Sequence, residues 1–314
     1  MNNLKLLSAL SLLVFFTACA QQKALVNDGL VINSLIVDPP ELESYSGTAN
    51  IFAEIENVGG TTATDIKAYL LGASWLEQNQ RNLLEKSLGQ MQPYDIRTGA
   101  PGEVKLTTWT IPPAELPEGV FQDYKLIVRV EYDYATNAVA NIPAVNEDEY
   151  VRKKLRGESL DPIKISNANA APVVVDVVGQ PIIVRKRPSG SQDIYFFKIF
   201  FVNTGSGVPF DDSTGTRING VISGTIKVQG AGATFDECFG QHAGSDSVQL
   251  PPPTAQNAVV VRRGESALVP CAVAIDHTQW TTKPEGTVSL IFELDYRYFT
   301  DAESSIRILG RIKP

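Results

Sequence analysis

The sequence predicts an all-β protein: two tandem antiparallel β-sandwiches joined by a short helix and a linker. Three observations carry that prediction. Apolar and polar residues alternate in short runs bounded by Gly, Pro, Asn and Asp, while helical periodicity is scarce. A stretch of the chain is repeated: 126–142 aligns without gaps on 290–306, matching Leu126/Leu290, Ile127/Ile291, Tyr132/Tyr296, Tyr134/Tyr298, Thr136/Thr300, Ala138/Ala302 and Ile142/Ile306. Finally, 314 residues with 43% hydrophobic and 20% charged content suffice to bury two cores.

Taken in chain order, Lys5 precedes an apolar run over 6–16, the layout of an export signal. Eleven helical residues cover roughly 16 Å, about half of a bilayer's hydrocarbon core, so this is a signal segment and not a permanent span. Thr17-Ala18-Cys19 then resembles the processing site of a bacterial or archaeal lipoprotein. That resemblance implies lipid on the Cys19 thiol, residues 1–19 as leader with lipobox, 20–27 as spacer, and the membrane as a partner held through buried methylenes at about 0.8 kcal/mol each. Phe16 stands where that family has Leu, and Ala18-Cys19-Ala20 also fits a cut after Ala20, which leaves a secreted chain without the cysteine.

The first sandwich is expected over 28–145, with strands at 30–37, 49–56, 66–71, 104–111 and 126–134 and a helix over 75–88 crossing one end. In its last strand Val128, Val130, Tyr132 and Tyr134 share one face, and Arg129, Glu131 and Asp133 share the other. Thr136-Asn137 then reads as a turn, as does Thr300-Asp301 in the second copy, so that each copy ends in a hairpin closing its own sheet. Residues 146–171 form the connection. Asn146 caps a helix over 146–156 with acids in its first turn and bases in its last, and 166–172 is the looser joint. The second sandwich, 172–314, places strands at 173–178, 182–184, 194–202, 222–228, 259–261, 268–275, 288–298 and 306–309.

Ser46-Gly47 before a strand, Asn57-Val58-Gly59-Gly60, Thr64-Asp65-Ile66 and Pro117-Glu118-Gly119 before the long strand resemble the tandem immunoglobulin-like or CARDB-like domains of prokaryotic surface proteins. The likeness covers 28–145 and 172–313, and Phe201-Val202-Asn203-Thr204-Gly205-Ser206 echoes the first Asn turn. It implies immunoglobulin-like sandwiches displayed at the cell surface for adhesion or spacing.

Few residues offer chemistry. Cys238 and Cys271 are the thiols left after Cys19, and in an exported chain they form a disulfide, ligate a metal or stay as structural thiols. A zinc set would be Cys238, His242, Cys271 and His277, since Cys271 and His277 share a strand face. Asp211, Asp212, Asp301 and Glu303 are the acids a calcium ion would use, against their reading as solvated turn residues. His242 and His277 otherwise read as loop histidines, and G-x-S-x-G, H-E-x-x-H, P-loop and G-x-G-x-x-G motifs do not occur. Pro251-Pro252-Pro253 is an extended spacer or a ligand segment for another protein.

A net charge of -8 is the wrong sign for gripping a phosphate backbone, which sets nucleic acid aside. No cofactor and no catalytic residue is expected. The expected role is a lipid-anchored surface scaffold or adhesin that binds a protein or surface polymer. The alternatives are a filament or surface-layer subunit assembling by strand donation, and an accessory ligand-binding subunit of a surface enzyme or transport complex.

Overall fold

A computed structural model describes residues 27–76, 84–95, 97–187, 192–230, 232–242, 244–262, 264 and 266–313. The first repeat contributes β1 (Leu30–Asp38), β2 (Glu41–Glu43), β3 (Ala49–Asn57), β4 (Ala63–Leu71), β5 (Glu85–Met91), β6 (Val104–Ile111) and β7 (Phe121–Asn146). Helix α1 (Glu147–Leu155) and β8 (Lys164–Asn167) follow. The second repeat contributes β9 (Val173–Val178), β10 (Ile182–Val184), β11 (Gln192–Asn203), β12 (Val208–Asp211), β13 (Ile218–Asn219) and β14 (Ser223–Gln229). It continues with β15 (Ala233–Cys238), β16 (Gln241–His242), β17 (Ser247–Gln249), β18 (Ser266–Asp276) and β19 (Glu285–Leu309).

The chain is all-β and sandwich-like, as the alternation predicts. An 11-stranded sheet runs through both repeats; a three-stranded sheet, β1-β3-β6, covers one end and a five-stranded sheet, β16-β15-β18-β11-β9, covers the other. Leu30, Ile51, Ile55 and Trp109 from one cover and Phe197, Phe201, Phe235 and Val273 from the other are all buried against Val128, Tyr132, Leu290 and Phe292 of the central sheet.

The expected hairpins at Thr136-Asn137 and Thr300-Asp301 do not form. β7 runs 26 residues and β19 runs 25, and they pair antiparallel along their length, from Val145 opposite Glu285 to Phe121 opposite Leu309. Thr136 and Thr300 are buried in these strands, and the Thr136 hydroxyl donates to the Val173 carbonyl at 2.8 Å. A β-branched residue with a buried partner for its hydroxyl favours the extended chain over a turn.

Asp133 faces Arg297 in this ladder. The sequence repeat carries residue 133 onto 297, so the ladder and the repeat share one local two-fold axis between this pair. Tyr132 therefore faces Tyr298, and Tyr134 faces Tyr296. Past the axis each long strand leaves its own repeat: β7 pairs with β8 of the connection and with β10 of the second repeat, and β19 pairs with β2 of the first. Each repeat lends its last strand to the other, an exchange of identical elements within one chain. The parallel pairs β2–β19 at Arg307–Leu309 and β10–β7 at Ala144–Asn146 are the same feature seen twice.

Helix α1 forms where the caps predict. The Asn146 side chain accepts from Glu149 N at 2.9 Å. Within the helix Glu149 pairs with Arg152 at 2.7 Å, and two outside pairs, Lys153 with Glu285 at 2.8 Å and Asp148 with Lys186 at 2.7 Å, tie it to β19 and to the chain beyond β10. The helix expected over 75–88 is corrected in part. Glu85–Leu88 belong to β5, paired with β4, and 77–83 lie outside the described residues. The strand expected at 259–261 is reduced to a single bridge, Val260 to Val221.

Candidate binding surfaces

Cys19, with 1–18 and 20–26, lies outside the described residues. Among the described residues, no helix is long and apolar enough to cross a membrane. Cys238 and Cys271 face each other on β15 and β18 with Cα atoms 4.3 Å apart, and they are joined as a disulfide within the core of the second cover. Oxidation removes both as zinc thiolates. His242 lies on β16, opposite Glu237. His277 is buried at the start of a 3-10 turn, His277–Trp280, capped by Asp276, whose Oδ1 accepts from Thr278 N. The structure thus does not bring these four residues together. Among the described residues, no cluster of three or more His, Cys, Asp or Glu is placed to hold a metal ion.

The four calcium-candidate acids are spread in the same way. Asp301 and Glu303 sit in β19 instead of a loop: Asp301 receives both nitrogens of the Arg129 fork at 2.8 and 2.7 Å, and Glu303 bonds Lys125 at 2.7 Å. Asp211 accepts from Ser213 N and Oγ in its own turn, and Asp212 bonds Arg297 at 2.6 Å.

Among the described residues two surfaces stand out. The first is the waist, on the outward face of the central sheet at the two-fold axis, where a cleft of about 460 Å³ opens beside Thr64, Asp133, Phe210 and Arg297. Arg297 gathers Asp212, Asp133 at 3.2 Å and Asp65 at 3.8 Å, while Arg217 bonds buried Glu131 and stacks over Phe210 at 3.8 Å. Burial raises Asp133 above the ordinary carboxylate range; Arg297 opposes this and Asp65 adds to it. Every charge in this cluster already has an opposite charge against it, so the waist reads as a fastening between the repeats.

On the inner face of the waist the two Asn turns close in the same way. Asn57 accepts from Gly59 N and donates to the Thr61 carbonyl at 2.9 Å; Asn203 accepts from Gly205 N and donates to the Gly207 carbonyl, also at 2.9 Å. Tyr134 Oη accepts from Thr61 N, and Tyr298 Oη from Gly207 N. Each turn is then pinned by the lead into the other repeat. The Asn169 carbonyl receives Gly60 N at 2.9 Å, and the buried Asp28 carboxylate receives Ser206 N at 3.0 Å. Sequence reasoning found the turns but not these cross-contacts, because Asp28 and Asn169 lie in segments without a repeated pattern.

The second surface is a groove of about 900 Å³ at the far end of the second repeat, walled by Val178–Pro181, Ile183, Arg185, Arg187 and the Gln192–Lys198 stretch of β11. Asp193, 6% exposed, sets its floor, accepting from Arg185 N at 3.0 Å and pairing with Arg187 at 2.8 Å. Tyr195 donates to the Ile183 carbonyl, and burial, aided by Asp193, raises its phenol. Phe196 stands 74% exposed at the rim, with Ile194 and Val178 about half exposed beside it. Arg185 and Lys198 have no ion-pair partner among the described residues, which gives the groove unspent positive charge on a protein of net -8.

No protein-family model matches the chain. No curated protein matches it either. Among solved structures, the native conformation of Escherichia coli alpha-2-macroglobulin is similar at 8% identity and a TM-score of 0.18, over 90% of this chain and 17% of that one.

Proposed function

We propose that the chain is an exported surface scaffold or adhesin, anchored through lipid on Cys19, that presents a binding surface to a protein or surface polymer and has no catalysis of its own. The groove beside β11 is the observation that carries the reading. An aromatic rim beside cations that have no ion-pair partner among the described residues is a surface equipped to bind, and the ion pairs of the waist hold it on a stiff support. The apolar leader ending in Thr17-Ala18-Cys19 supports export and anchoring.

Intact-mass measurement on protein from the membrane fraction tests the anchor. The expected product begins at Cys19 and carries acyl chains, and Cys19→Ser is expected to move the protein to the soluble fraction. A mature chain beginning at Gln21 overturns the anchoring. A hydrolase screen on purified protein that detects turnover abolished by His277→Ala overturns the non-catalytic reading.

A further inference from the structure

The internal repeat supplies a control for the groove. In the first repeat β1 covers one flank of β3 up to Asn50, one residue short of that strand's start. In the second repeat β9 covers β11 only as far as Lys198, while β11 continues to Gln192. On its other flank β11 pairs with β18 throughout, from Val202 to Gln192. Among the described residues, Gln192–Phe197 therefore have a strand on one side and none on the other. Alternate residues along this flank turn an amide and a carbonyl into the groove, a row that a second backbone satisfies and a sugar or small ligand does not.

We infer that this bare flank accepts an extended strand from a partner protein, laid in line with β9, apolar at alternate residues and carrying carboxylates. The apolar residues follow from Phe196, Ile194 and Val178 on the exposed face, and the carboxylates from Arg185 and Lys198. The chain's own spacer is too short to cover it. Asn27 is held beside Thr204, at the end of β9 away from the groove. The six residues of β9 separate it from the bare flank by about 20 Å, and seven residues span about 25 Å at most, so 20–26 could bring no more than one or two residues to a flank of six. The inference rests on the reading of the chain as a binding scaffold and names the partner's chemistry.

Anisotropy titration of the mature, unacylated chain tests it. The probe is a labelled, end-blocked peptide of the β1 sequence, Leu30–Asp38, which covers the matching flank in the first repeat. Saturable binding is expected, weakened about tenfold when alternate amides of one parity are N-methylated and little changed for the other parity. Phe196→Ser and Lys198→Glu are expected to weaken it, whereas Leu106→Ser, at an equally exposed site on the first cover, leaves it unchanged. The inference is overturned by no saturation below about 1 mM, by equal loss from both N-methylated forms, or by native hydrogen exchange showing every amide of Gln192–Phe197 already protected. Self-association of the protein that is lost on deleting residues 20–26 makes a second copy the occupant and overturns it as well. None of these readouts depends on lipid at Cys19, so failure here is distinct from failure of the anchor.

Discussion

Asn57 and Asn203 each fold a turn back onto their own strand, and each uses both ends of its amide to do so. Removing either side chain strands a buried amide and a carbonyl, at a cost of about 1–3 kcal/mol. Asn57→Ala and Asn203→Ala are expected to lower the urea midpoint by similar amounts. Unequal losses would argue that the two turns are not equivalent. Tyr132, Tyr134 and Tyr296 behave as a group, their phenols pushed up chiefly by burial. The unfolded chain releases these protons near pH 10 while the folded chain keeps them, so stability is intact below about pH 10 and falls as pH rises beyond it. The share of the 295 nm absorbance that belongs to these three phenols is expected to rise together with loss of structure, and full ionisation of all ten tyrosines in a still-folded protein would contradict this. The Cys238–Cys271 cross-link closes a span of 33 residues, worth about 3.5 to 4 kcal/mol in the chain-entropy treatment. The Cys238→Ser, Cys271→Ser double variant is expected to lose an amount of that order in denaturant unfolding.

At the level of elements, the strands were legible because one face of each is buried, and α1 because its cap and end charges are local. Asn146→Ala is expected to cost about 1 kcal/mol through the lost cap, read from thermal unfolding. The misread turn at Thr136-Asn137 has two causes. Inward positions from Val128 to Ala144 stay buried without interruption through Thr136, a regularity that outweighs a Thr-Asn pair. The deeper cause is the repeat itself. Two like copies offer nearly the same partner to a strand whether it folds back or crosses over, so the buried residues are the same in both topologies and the pattern cannot distinguish them. The groove was illegible for another reason. It depends on where β9 stops relative to β11, a matter of register between strands with no mark in either one alone.

For the molecule as a whole, the crossed strands mean that neither repeat is complete without the other. The segment 28–145 expressed alone lacks the end of β19 and is expected to be either unfolded or a two-fold dimer that exchanges β7 between copies, with Asp133 now facing its own twin. Sedimentation paired with circular dichroism checks this, and a folded monomer would sink it. The path of the chain through Asn27 and Asp28 has a mechanical consequence. The long ladder spans about 80 Å, and Asn27 and Asp28 lie beside Thr204 and Ser206, near its midpoint. If the proposed N-terminal anchor holds, the body is a balanced crossbar on a central pivot, its two tips about 40 Å to either side, so that load on one tip tilts the other instead of stretching a stalk.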